Sequence, residues 1–128
     1  VPDERGNLTF MEGGRHIPFA IARVFYLYTV PGDAMRGAHA HKTLEQFIIC
    51  VSGAFTVILD DGHERRTIKL DRADCGLYIP PLIWDEEIEF SPGGICLVLA
   101  SQPYKESDYL RNYDQFRAAR EQYQQVQP

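Results

Sequence analysis

His39 and His41 are two of only four histidines in the chain, and their spacing is one that chemistry can use. Side chains on an extended strand alternate between its faces, so residues two apart project together and can share one pocket. Two imidazoles in one pocket either clamp a metal or move protons, because imidazole titrates near neutrality and can take and return a proton. The bland alternative is a polar strand face in solvent. Its neighbours argue against that: Arg36 and Lys42 flank the pair, and the apolar run Phe47 to Val51 follows, which puts the pair at the mouth of a core. With Tyr78 and Trp84 lining such a pocket, metal-free imidazoles suit isomerisation or epimerisation α to a carbonyl.

The elements that must position the pair read as strands. Residues 17–30 are β-branched and aromatic, with Pro18 near the start, and predict one long strand or two with a bend. Pro31-Gly32-Asp33 turns into the histidine strand. Upstream, Asp3-Glu4-Arg5-Gly6 ends in a turn glycine before a short alternating run from Asn7 to Met11. Downstream, residues 54–59 are almost wholly apolar, and Asp60-Asp61-Gly62-His63 supplies an Asp-Gly pair suited to a two-residue type I′ hairpin with His63 exposed at its tip. The return strand covers 64–70. After a turn come Leu77-Tyr78-Ile79, Pro80-Pro81, a strand over 83–90, the turn Ser91-Pro92-Gly93-Gly94 and an apolar strand over 95–100. Turns recurring every ~8–12 residues are the spacing of an all-β sandwich or barrel. Only the tail departs from it: Ser107 can cap a helix starting at Asp108, on which Tyr109, Leu110, Tyr113 and Phe116 fall close to one face. No repeat or linker divides the chain, so one domain over residues 1–128 is expected.

A chain of 128 residues can bury a core without disulfides or a structural metal. A net charge of −5 argues against a polymeric nucleic-acid partner, although a local cluster of cations can still hold a small anion. Cys50, Cys75 and Cys96 are odd in number and form no C-x-x-C, which fits reduced thiols in a cytoplasmic protein, with Cys50 and Cys96 in the core. No run reaches the ~20 apolar residues of a membrane span, and no secretory apolar segment opens the chain, so no membrane partner is expected. The first residue is Val1 rather than Met, which leaves a missing N-terminal segment to be expected.

A strand-borne His-x-His followed by an acidic residue, a hairpin and a proline-led strand with another histidine is the metal-binding layout of the cupin barrels. This chain resembles it in outline. Counting from His41 to Gly53 puts Gln46, not Glu45, at the third ligand position, and Pro80-Pro81-Leu82-Ile83-Trp84-Asp85 has Asp85 where a histidine is usual. His39, His41 and Asp85 would still make a set able to hold non-haem iron, so a metal-dependent cupin oxygenase stays open beside the metal-free reading.

Taken together, Asp3-Glu4-Arg5-Gly6, Arg36-Gly37-Ala38-His39-Ala40-His41-Lys42, Gln46, Cys50-Val51-Ser52-Gly53, Leu59-Asp60-Asp61-Gly62, Gly76-Leu77-Tyr78-Ile79-Pro80-Pro81, Leu97-Val98-Leu99-Ala100-Ser101 and Ser107-Asp108-Tyr109 resemble the sugar-nucleotide 3,4-ketoisomerases that act on dTDP-4-keto-6-deoxyglucose. The resemblance implies an all-β, cupin-like jelly-roll barrel with a C-terminal helix. It also implies metal-independent catalysis with no cofactor, a dTDP-linked 4-keto-6-deoxy sugar as substrate, and a cytoplasmic role in deoxysugar biosynthesis. A homodimer that exchanges N-terminal strands is implied too, and an open edge on the apolar strand near residues 19–28 is separate ground for pairing. By the same similarity His39 is the general base and His41 the partner that shuttles a proton at the neighbouring oxygen. Arg36 and Tyr78 are candidates for stabilising an enediolate oxygen. Arg36 could instead join Arg5, Arg23 and Lys42 as candidates for the diphosphate, where a guanidinium fork suits phosphate. Arg5 could equally be a solvated arginine beside two acids. Tyr26 and Trp84 could stack on thymine or sugar, or be aromatic core. One departure stands out, Trp84-Asp85 where Trp-His is expected, and it bears on local hydrogen bonding. A non-catalytic sugar-nucleotide-binding module is the third reading.

Overall fold

The computed structural model describes residues 2–126. In chain order the strands are β1 (Pro2–Asp3), β2 (Gly6–Asn7), β3 (Arg23–Leu27), β4 (Arg36–His41), β5 (Gln46–Ser52), β6 (Phe55–Asp60), β7 (Arg65–Leu70), β8 (Gly76–Ile79), β9 (Trp84–Ile88), β10 (Ile95–Ala100) and β11 (Tyr109–Leu110), followed by helix α1 (Tyr113–Val126). β1 and β2 form a small hairpin. The rest make two antiparallel sheets, β3-β10-β5-β8 and β11-β4-β9-β6-β7. Because alternate side chains leave opposite faces, each sheet sends one set inward, and Ile48, Cys50, Phe55, Val57, Leu70, Ile79, Phe90, Cys96 and Val98 fill the space between them. This is the all-β, cupin-like jelly-roll arrangement, a two-sheet sandwich with a C-terminal helix. Cys50 and Cys96 are buried free thiols paired across β5 and β10, as their apolar surroundings predict.

Three local expectations are corrected. First, the helix begins at Tyr113, not Asp108: Asn112 Oδ1 accepts the Gln115 N–H at 3.0 Å, and Tyr109–Leu110 instead extends the sheet, with Tyr109 opposite His41 and Leu110 opposite Ala40. The reason is Asp108, whose buried carboxylate accepts the Thr43 and Leu44 N–H groups and the Thr43 hydroxyl, tying the tail to the end of β4 before a helix can start. Second, only Arg23–Leu27 of the 17–30 segment is strand, while Ile17 and Phe19 cover the outer face of the first sheet against Ile49 and Leu99. Third, no strand forms over the alternating run from Asn7 to Met11 beyond Asn7 itself. The 60–65 hairpin does form, and exposed His63 lies at its tip beside Gln124.

Helix α1 closes the outer face of the second sheet. Phe116 is wholly buried against Ala40, Trp84 and Leu110, and sinking an aromatic ring of this kind contributes about 1.5–3 kcal/mol. Tyr113 adds an anchor by donating its hydroxyl to Asp60, which also accepts from Arg65.

One irregularity in β4 decides which of its side chains face inward. Arg36 pairs with Glu87 and Gly37 with Glu86, but His39 pairs with Asp85, so Ala38 is an extra residue. Gly37 (φ 81°) and Ala38 (φ 61°) take the left-handed conformation of a β-bulge. On a regular strand Arg36 and His39 would point to opposite sides; the bulge turns both inward.

Candidate active site

Between the two sheets opens a cavity of about 410 Å³. The first sheet contributes Phe25, Leu27, Gln46, Ile48 and Val98, the second Arg36, His39, Asp85 and Glu87, and the tail adds Tyr109 and Arg111. The His39 and His41 rings stand edge to face, 4.9 Å between centroids, and Tyr109 packs against both at 5.1 and 4.3 Å. Gln46 Nε2 lies 3.4 Å from His41 Nδ1 and donates to it, which leaves the His41 proton on Nε2. His41 Nε2 and His39 Nδ1 are buried and, among the described residues, have no hydrogen-bond partner.

Burial governs the charge of the pair. Desolvation lowers His39 from its ordinary value, opposed by the nearby Asp85 carboxylate. His41 is pushed down to about 4, by desolvation first and then by the positive charge His39 would carry. Both rings are therefore neutral near pH 7, a state in which one can accept a proton and the other can donate a hydrogen bond. Deeper still, burial raises Asp85 and raises Glu87 well above the usual carboxylate range, with Asp85 adding to the shift on Glu87.

Four residues singled out from the sequence meet at the cavity: His39 and Arg36 on its wall, Gln46 beside them, and His41 behind His39. Arg23 shares the inward face of β3, its guanidinium lies over Phe25 at 5.1 Å, and its charge acts on His41. Its buried Nε and Nη2 have no acceptor among the described residues. The other five candidates lie elsewhere. Trp84 is one residue off the parity of Asp85, so it packs under α1 and donates to Glu86 at 2.9 Å. Tyr78 points from the outer face of β8 to Glu45 at 2.7 Å and packs against Phe19. The expectation that Tyr78 and Trp84 line the pocket is thus corrected by strand alternation. Tyr26 is on the outer face of β3, 59% exposed beside Tyr28. Lys42 is exposed just past the end of β4. Arg5 is paired with Asp3 in the β1–β2 hairpin, away from the cavity of its own chain.

Sequence reasoning missed Glu87, Tyr109 and Arg111. Glu87 shares the parity of Asp85, a signal available from the strand pattern. Tyr109 stands in the Ser107-Asp108-Tyr109 motif without a role, and Arg111 falls inside the expected helix with nothing to single it out. In the fold, Arg111 lies over the Tyr109 ring at 4.3 Å and is held by Glu106, whose carboxyl the guanidinium pulls down to about 2.

The cupin layout raises a metal, and the residues do not fit one. Gln46 turns its amide onto His41, and no three His, Cys, Asp or Glu side chains converge on a common point among the described residues. Also among them, no helix is long and apolar enough to cross a membrane.

The FdtA family model, described as WxcM-like, C-terminal, matches residues 1–121. The TDP-4-oxo-6-deoxy-alpha-D-glucose-3,4-oxoisomerase of Aneurinibacillus thermoaerophilus is 46% identical over 117 residues, covering 91% of this chain and 84% of its own. A mutant of the QdtA 3,4-ketoisomerase from Thermoanaerobacterium thermosaccharolyticum, solved in complex with TDP-4-keto-6-deoxyglucose, has a TM-score of 0.93 at 42% identity, covering 95% of this chain and 88% of that one. The WlaRB TDP-quinovose 3,4-ketoisomerase from Campylobacter jejuni has a TM-score of 0.89 at 45% identity, covering 92% and 91%. With the model matched across almost the whole chain and a relative this similar, the chain belongs to the FdtA family.

Proposed function

We propose that this chain is a sugar-nucleotide 3,4-ketoisomerase, an isomerase that converts dTDP-4-keto-6-deoxyglucose to a dTDP-3-keto-6-deoxyhexose by histidine acid–base chemistry. The observation that carries the reading is the pair of neutral, buried imidazoles at one cavity, in a chain 46% identical to an oxoisomerase of that substrate class. The C3 hydrogen of the substrate is α to the C4 carbonyl. His39 takes that proton, the C3–C4 double bond forms, and the carbonyl oxygen at C4 becomes the enediolate oxygen. His41, with its proton on Nε2, donates a hydrogen bond there and relays a proton from the C3 hydroxyl. Reprotonation at C4 leaves the ketone at C3. A positioned base supplies roughly 10²–10⁴ in rate, so charge stabilisation must carry much of the remainder. Arg36 and Arg111 are the cations at the cavity, and they serve the enediolate or the diphosphate; the unanswered donors of half-buried Arg23 are a further anion contact.

Residues 1–128 form one ketoisomerase domain in this reading, in a cytoplasmic enzyme. A homodimer is supported by β3, which is the edge of its sheet and exposes Val24 and Tyr26 by more than half, as does Tyr28 just past its end. In such a dimer the Arg5 hairpin has a second chain to reach. Light scattering that gives a monomer would remove the dimer and leave the chemistry.

The test is proton NMR of dTDP-4-keto-6-deoxyglucose incubated with the protein, where a 3-keto product is expected. Binding without turnover would make the chain a sugar-nucleotide-binding module instead. Turnover should survive chelation; near-stoichiometric iron or zinc together with loss of turnover on chelation would return the oxygenase reading.

A further inference from the structure

The proposed acid–base scheme leaves two buried carboxyls unused. Asp85 and Glu87 are 1% and 5% exposed, and both face the cavity from β9. Where Trp-His is expected from the family resemblance, Asp85 stands directly opposite His39 in the β4–β9 pairing, on the same side of the sheet. Each has an unanswered atom: among the described residues, buried His39 Nδ1 and buried Asp85 Oδ2 have no hydrogen-bond partner. One is a potential donor and the other an acceptor, and an unmet buried polar group of either kind is costly.

The other half of Asp85 is occupied by Glu87. Asp85 Oδ1 and Glu87 Oε1 crowd the same point over Gly37, 3.1 and 2.9 Å from where a Cβ would stand, and the two carboxyls share a hydrogen bond. Two carboxylates this close cannot both be ionised at low cost, so the pair keeps one proton. Glu87, the more strongly raised of the two, holds it and donates to Asp85. The bulge glycine is what admits this arrangement, since any side chain at position 37 would strike both carboxyls.

We propose that Asp85 is the positioning residue for His39: the two facing atoms that stand unbonded, His39 Nδ1 and Asp85 Oδ2, close on one another so that Asp85 accepts the Nδ1–H while protonated Glu87 holds the opposite Asp85 oxygen, and His39 offers Nε2 to the cavity as the base. The inference rests on the ketoisomerase reading for its catalytic meaning, but the tautomer of His39 is a property of the protein alone. The Glu87–Asp85–His39 chain explains why a carboxylate is tolerated where a histidine is expected: it fixes ring orientation and stabilises the imidazolium formed when the C3 proton is taken. His39 is also faced by His41 and Arg36 from its own strand, Gln46 from β5, Tyr109 and Arg111 from the tail, and Glu106 from the turn before β11. Asp85 is the largest charge acting to raise the His39 proton affinity, ahead of Glu106 and against Arg111.

The experiment is ¹⁵N NMR of the whole chain carrying ring-labelled histidine, with no ligand added. His39 is expected to carry its proton on Nδ1 near pH 7, and Asp85→Ala to move it to Nε2. A wild-type His39 protonated on Nε2 overturns the proposal outright, whether or not Asp85→Ala folds. Glu87→Gln, whose amide N–H replaces the donor of the protonated acid, keeps the Nδ1–H tautomer; loss of it there would exclude Glu87 as the donor. In turnover, Asp85→Asn should lower kcat by about 10²-fold, the low end for a positioned base, with KM little changed. It should also move the acid limb of kcat to lower pH, because the charge that raises His39 is gone. A purely structural Asp85 would lower the yield of folded protein and leave that limb in place, which also overturns the proposal. Absence of turnover in the wild type would defeat the ketoisomerase reading while the tautomer measurement still decides this one.

Discussion

On the helix side of β4 and β9, Trp84 donates to Glu86, Glu86 also accepts from Arg65, and Ala40 lies flat beneath Phe116. On the cavity side of the same strands, His39, Asp85 and Glu87 each keep a buried polar atom with no partner among the described residues. Alternate residues of one pair of strands thus meet opposite fates. On the helix side the polar side chains of these two strands, Trp84 and Glu86, are paired, as expected of groups whose task is to hold a fold together, and the one buried unpartnered side-chain atom on the covering helix among the described residues is Arg120 Nε. The cavity side retains unspent donors and acceptors at a cost in stability, which marks where a ligand or a proton completes the set.

The difference is broken or sharpened most strongly at His39. His39→Asn should lower isomerisation by up to ~10⁴-fold and stop exchange of the C3 hydrogen with deuterated solvent, since the first step is lost. His41→Asn should depress isomerisation yet leave some C3 exchange, because an enediolate can still form and return. Proton NMR in deuterated buffer compares them, with circular dichroism to establish folding. Undiminished exchange in folded His39→Asn would sink its role as base, and exchange lost only in His41→Asn would reverse the two roles.

Trp84→Ala acts on the other face. It empties a buried ring site and strips Glu86 of a donor, and should cost about 3–5 kcal/mol of stability, read from urea unfolding. A variant of unchanged stability with weakened substrate binding would move Trp84 to the cavity side after all.

The pH dependence of stability reads the cavity face, where two groups act with opposite sign. His41 falls from an ordinary 6.5 to about 4 in the folded state, so between those values the unfolded chain binds the extra proton. Stability therefore drops as pH falls through that window, by up to ~3 kcal/mol, and His39 acts in the same direction. Urea midpoints from pH 7 to 4 should show a slope that flattens in His41→Asn; an equal slope in both would refute the burial effect.

The smallest expected effect has the opposite sign. Glu87 is raised from its ordinary 4.5, so the folded state binds the extra proton and stability falls as pH rises above that value. Glu87→Gln carries no such penalty and should gain about 1 kcal/mol at pH 8 while gaining little at pH 4. Thermal midpoints at the two pH values measure it, and a loss at pH 8 would mean that an ionised Glu87 is satisfied there.

What the sequence determined by itself was local and periodic. The two-residue spacing of His39 and His41 was enough to put both on one face, turn spacing was enough for an all-β sandwich, and apolar context was enough to bury Cys50 and Cys96. Those features depend only on strand alternation and on where apolar runs are broken. The tertiary structure decided everything that depends on register. Arg36 reaches the cavity because a bulge inserts Ala38, which reverses the parity a regular strand would impose. Trp84 leaves it, and Asp85 and Glu87 enter it, by the pairing of β9 with β4 and β6. Tyr109 lies against both histidines because Asp108 fastens the tail to the end of β4, a contact between residues more than sixty positions apart that no local propensity encodes. The side-chain spacing over 108–116 fits a helix, but three hydrogen bonds to the Asp108 carboxylate outweigh a turn of helix.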